Sequence, residues 1–149
     1  MDSPENARRR AVLIHIALAA SIGAYAVLLL LIRSEIVPPS GPPPPPPSTR
    51  LLLALSAVGL AQFAAASWVG RSLLRSRRAG GPERVRLYFL LRAAAAEAIG
   101  LFGLLAGFRG APVGHSLALF ALSLAAMLVS APSRPAWEQA LRLAESSGP

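Results

Sequence analysis

Apolar residues in this chain gather into four long blocks instead of alternating with polar ones, over 11–32, 51–70, 87–108 and 113–131. A helix rises about 1.5 Å per residue, so roughly 20 apolar residues cross a hydrocarbon slab about 30 Å thick. All four blocks are near or above that length. The first carries no formal charge, and the second has Gln62 as its only strong polar group. The third contains Arg92 and Glu97, and the fourth opens near His115. Lipid offers the backbone no hydrogen-bond partners, so each block predicts a helix. The alternative, buried helices of a soluble globule, would leave almost no polar face.

The breaks are as plain as the blocks. Residues 33–50 contain Pro38, Pro39 and the run Pro42 to Pro47. Proline lacks the amide proton and clashes with the preceding turn, so no helix passes through. That run predicts a polyproline II rod near 19 Å long in an outer loop. It would be a spacer, a recognition ligand, or the product of a GC-rich coding bias, with which the exclusive use of arginine agrees. Residues 71–86 form a basic loop around the turn Ala79-Gly80-Gly81-Pro82. Residues 109–112 read as a short hairpin connection, and Pro132 and Pro135 close the fourth block. In the tail, 133–149, the stretch 136–144 predicts an amphipathic helix. Trp137, Leu141 and Ala144 share one face, and Glu138 and Arg142 form an i, i+4 pair. Its expected place is the inner leaflet surface with the indole at the interface, or else against a partner.

Composition changes the picture mainly by exclusion. The 149 residues are 54% apolar and 15% charged, against roughly 25% charged in an average soluble domain. With no cysteine there is no disulfide, thiol nucleophile, zinc knuckle or iron–sulfur site. Serine hydrolysis needs a base beside a nucleophile, and metal hydrolysis needs three clustered ligands. His15 and His115 fall on opposite sides of the membrane. The expectation is therefore no enzyme, no metal and no cofactor.

Charge sets the orientation. Fifteen arginines, no lysine and seven acids give a net +8. Basic residues near span ends stay cytoplasmic. Arg8, Arg9, Arg10, Arg71, Arg75, Arg77, Arg78, Arg84, Arg86, Arg134 and Arg142 fall on one side. Only Arg33, Arg50 and Arg109 fall on the other. The predicted fold is all-α: a single-domain, integral membrane four-helix bundle over 1–149. Both termini are cytoplasmic, a short interfacial helix ends the chain, and the site is the inner (plasma) membrane. The basic loop has no aromatic before Tyr88, so nucleic acid is not an expected partner. Anionic lipid headgroups are, at Arg71, Arg75, Arg77, Arg78, Arg84 and Arg86. A cleaved signal peptide would explain Arg8–Arg10 and the loose Ala24-Tyr25-Ala26 cleavage pattern, but the 22-residue block exceeds a signal core of about 7–15 residues.

Small residues mark where helices approach. Ala93, Ala96, Gly100, Gly103 and Gly107 form a strip along the third block, and Ala57, Ala61 and Ala65 recur every four residues in the second. Either strip packs within one bundle or joins two copies, since close approach drives association in lipid. Glu97 is the main candidate for chemistry. An acid near the midplane costs about 2.5–3.5 kcal/mol on insertion scales and should face the bundle interior. It would take up and release a proton or sodium ion, or form a neutral hydrogen bond to a neighbouring helix. Gln62 is the expected partner by depth. Arg92, about 140° around the helix from Glu97, is a weaker one that should snorkel to the headgroups. His15 is a possible auxiliary.

The run Glu97-Ala-Ile-Gly-Leu-Phe-Gly-Leu-Leu-Ala-Gly-Phe108 resembles the carboxylate-bearing helix of rotary-ATPase proteolipids, the c subunits. Phe102-Gly103 stands at the place of their aromatic–glycine pair, and the preceding basic loop is similar to their cytoplasmic turn. The resemblance implies Glu97 as ion carrier and Gln62, 35 residues earlier, as auxiliary ligand. The whole pattern also resembles small bacterial four-span membrane proteins, which implies no particular activity. Three readings stand together at this point: an accessory or interaction protein, proton or sodium translocation through Glu97, and a small oligomeric transporter.

Overall fold

A computed structural model describes residues 3–34, 47–75 and 81–146. The expected proline rod up to Pro46, together with Arg77, Arg78, Ala79 and Gly80, lies outside the described residues. Five helices follow in order: α1 (Pro4–Arg33), α2 (Thr49–Leu74), α3 (Gly81–Phe108), α4 (Val113–Val129) and α5 (Arg134–Glu145). There is no strand among the described residues. The first three are each long and apolar enough to cross a membrane. The shorter α4 becomes a fourth when taken together with α5 across a 62° bend.

The first three helices outrun their apolar blocks, because the backbone ladder continues wherever caps allow it, whereas α4 stops at Val129, two residues short of its block. α1 begins at Pro4 rather than at residue 11. Ser3 accepts from the Asn6 amide, proline occupies the first turn, and Arg8 donates to Glu5 at 3.0 Å. At 30 residues, α1 is about 45 Å long, more than the slab needs. The basic loop shrinks likewise. Arg71 sits in the last turn of α2, and Arg84 and Arg86 sit in the first turns of α3.

Packing centres on α3, which meets α1, α2, α4 and α5. The small strip makes this possible: Ala93, Ala96, Gly100, Gly103 and Gly107 are all buried. Ile22 and Leu29 from α1 and Leu119, Phe120 and Met127 from α4 fill in around Ile99. A second core sits at the far end, where Ala7, Ala11, Leu74, Val85 and Phe89 meet α5. The turn from α3 to α4 is closed by Gly110, at φ 83°, a conformation that glycine adopts freely. Gly110 donates to the Gly107 carbonyl and Ala111 to that of Ala106, a double bond pattern that caps the helix.

Two arginines pin helix ends. Arg33 donates from Nη2 to the carbonyls of Gly107 and Ala111, at 3.2 and 2.7 Å. Arg84 donates to the Leu74 carbonyl from Nη1 and to the Ala144 carbonyl from Nη2, each at 3.0 Å. Both place positive charge at helix C-termini, where the macrodipole favours it.

α5 departs from the expected surface helix. Trp137 is 3% exposed and stacks on Phe89 with ring centroids 5.6 Å apart, so the indole lies in the protein core. The buried face is Trp137, Ala140 and Ala144, with Leu141 only half-buried. Glu138 takes a charge partner one turn before it, Arg134, at 3.2 Å. The chain bends here because Ser130 bonds the last carbonyls of α4, Pro132 follows, and Ser133 caps the next helix.

Candidate functional site

Glu97 lies on the seam between α3 and α1, half-buried rather than deep in the interior. Its Oε1 accepts from Ser21 Oγ at 2.6 Å and from Tyr25 Oη at 2.9 Å. Ser21 and Tyr25 are four residues apart, so α1 presents both on one face. Ser21 is 12 residues from the α1 end at Arg33, and Glu97 is 11 from the α3 end at Phe108, so the depths match. Ser21 Oγ is also 2.7 Å from the Leu18 carbonyl. A hydroxyl owns one proton and two lone pairs. It can therefore donate to an ionised Glu97, or donate to Leu18 while accepting from a protonated one. Next to this cluster, Ser123 Oγ donates to the Ala96 carbonyl at 2.6 Å and fastens α4 to α3.

The expected partners lie elsewhere. Gln62 is exposed on α2 with no hydrogen-bond partner among the described residues. It borders an open hollow that also touches Leu91, Ala94 and Ala95 of α3, a face of that helix which does not lead to Ser21. Arg92 turns away from Glu97. Its Nη1 donates to Tyr88 Oη at 2.9 Å, and its guanidinium lies 5.6 Å from the Phe63 ring centroid and 5.4 Å from that of Tyr88. His15 is buried against α4 beside the Met127 carbonyl. It precedes Ser21 by six residues, about 120° away around α1.

Ser21 and Tyr25 are the residues the sequence reading missed. The available signal was their i, i+4 spacing within a block otherwise poor in polar groups. Of the six arginines expected at headgroups, Arg84 is bound to helix-end carbonyls and Arg86 donates to Glu83 at 2.6 Å. Arg71 and Arg75 are exposed. The small strip of α3 is consumed within the chain, whereas Ala57, Ala61 and Ala65 on α2 all face outward. Among the described residues no three His, Cys, Asp or Glu side chains gather as a metal site would require. Comparison with protein-family models, with curated proteins and with solved structures gives no match.

Proposed function

We propose that the chain is a multi-pass membrane protein that acts through helix–helix contacts in the bilayer, not by catalysis. In this reading α1 to α4 cross the membrane with both termini in the cytoplasm, and the outer face of α2 receives a second copy of the chain. The observation that carries it is Gln62. It stands 13 residues from Thr49 and 12 from Leu74, at the middle of α2, exposed and unpartnered. An amide facing hydrocarbon is costly, and glutamine is its own complement, donor to acceptor in both directions. Ala61 and Ala65 flank it and let a second backbone approach.

The chain has no cysteine, so single-cysteine variants report this contact cleanly. Oxidation of Gln62→Cys or Ala65→Cys in membranes should give a disulfide-linked dimer, and Leu13→Cys, on the lipid face of α1, should not. Gln62→Leu should weaken the dimer by about 1–2 kcal/mol, roughly five- to thirty-fold. A chain that stays monomeric in mild detergent, or that cross-links equally from residue 13, would rule the contact out.

A second reading, proton or sodium translocation through Glu97, draws support from Ser21, whose two acceptors let the cluster hold either protonation state. A carbodiimide that attacks protonated carboxyls should then label Glu97 less as pH or sodium rises. Glu97→Gln should abolish flux in liposomes, and Tyr25→Phe should alter its pH profile. Absent labelling with unchanged behaviour of Glu97→Gln leaves the carboxyl as an inter-helix strut, worth on the order of 1 kcal/mol.

A further inference from the structure

The elbow between α4 and α5 encloses a hollow of about 280 Å³ against the last turn of α2 and the first half of α3. Arg71, Arg92 and Gln139 stand on its wall. Arg71 is exposed and has no hydrogen-bond or ion-pair partner among the described residues. Arg92 commits Nη1 to Tyr88, while its Nε is buried and unpartnered. A smaller hollow shares Arg71 and adds Arg75. No carboxylate lines either space. Glu83 is engaged by Arg86 and Glu138 by Arg134, and Glu145, exposed at the end of α5, lines neither hollow.

We propose that this elbow is a binding site for the phosphate of an anionic phospholipid headgroup. Guanidinium forks match phosphate oxygens bidentately, and basic recesses between spans at the membrane surface suit acidic headgroups. Leu74, Phe89 and Val129 also line the hollow and offer the glycerol and first methylenes an apolar surface that a free anion would not use. The site differs from diffuse attraction to the arginine loop because it depends on Arg92, which the sequence places inside a span. It is independent of any contact at Gln62.

The test uses the full chain in mild detergent, with bound lipid read by native mass spectrometry and thermal stability followed on adding phosphatidylglycerol, phosphatidylcholine or inorganic phosphate. Wild type should retain phosphatidylglycerol and be stabilised by it over phosphatidylcholine. Arg71→Gln and Arg92→Gln should each lower that retention about tenfold, as expected for losing a charge-assisted hydrogen bond. Arg92→Lys should recover part of it, and Arg50→Gln, at the opposite end of α2, should change nothing. Should Arg92→Gln misfold, Arg71→Gln decides alone, since its exposed side chain holds no helices together. Equal retention by Arg71→Gln, or equal retention of phosphatidylcholine, overturns the proposal. So does inorganic phosphate that stabilises as well as the lipid, which would assign the recess to a free anion.

Discussion

Replacing Trp137 by alanine should release α5 from the rest of the molecule. The indole is stacked on Phe89 and packed with Ala7, Ala11 and Val85. Truncating a buried tryptophan costs about 3–5 kcal/mol where the site does not collapse. Little nearby is placed to fill the gap, because the buried neighbours on α1 and α5 are alanines and Leu141 is only half-buried at their edge. Arg84 would still hold the end of α5, with its bond to the Ala144 carbonyl, but a hydrogen bond from a charged donor contributes only about 1.5–3 kcal/mol. Amide exchange in α5 should therefore accelerate by about a hundredfold or more, while α3 and α4 keep their protection. Trp137→Phe, which preserves a stacking ring, should recover most of the loss. Unchanged exchange in Trp137→Ala would mean that α5 rests on the lipid surface, as its amphipathic pattern alone suggests, and is not held by Phe89.

The helices were legible because hydrophobic block length is a direct readout of slab thickness, and proline and glycine punctuate it. Their ends were not, since caps such as Ser3 and the side-chain pairs behind them lie outside the apolar blocks. The same asymmetry governs the polar cluster. Insertion cost singles out Glu97 in any sequence, and depth along the helix follows from counting residues. The direction in which a side chain points around its helix depends on which neighbour packs there. That neighbour is α1, because the Gly100–Gly107 strip accepts Ile22 and Leu29, so Ser21 and Tyr25 reach the carboxylate. Gln62 sits on a different flank of α3. Depth alone made it look like a partner. The local resemblance to proteolipids rests on Glu97, the Phe102-Gly103 pair and the small and aliphatic residues around them; of these, Gly100, Gly103 and Gly107 pack within the chain.

Gly103→Val should break the contact between α3 and α4, the other large effect the structure implies. A Cβ at residue 103 would lie 3.0 Å from Leu119 Cβ and 3.1 Å from the Ser116 carbonyl oxygen, neither of which is the free end of a flexible side chain. At residue 107 it would run into Leu29 Cδ1, a side chain with no exposed surface and so no room to withdraw. Overpacking a tight core typically costs about 1–3 kcal/mol, and more where the backbone is the obstacle. Gly103→Val and Gly107→Leu should each lower the resistance of the fold to denaturing detergent by at least that much, and the pair together should prevent assembly. Gly23 supplies the control, because a Cβ there meets nothing within 4 Å. In a helix, alanine is favoured over glycine by about 1 kcal/mol, so Gly23→Ala should be neutral or stabilising. Opposite signs at residues 23 and 103 would separate close helix approach from helix propensity. If Gly103→Val proves as stable as wild type, α3 and α4 do not meet through this strip; if Gly107→Leu does, Leu29 does not seat there and the face of α1 that carries Ser21 and Tyr25 loses one of its two anchors against α3.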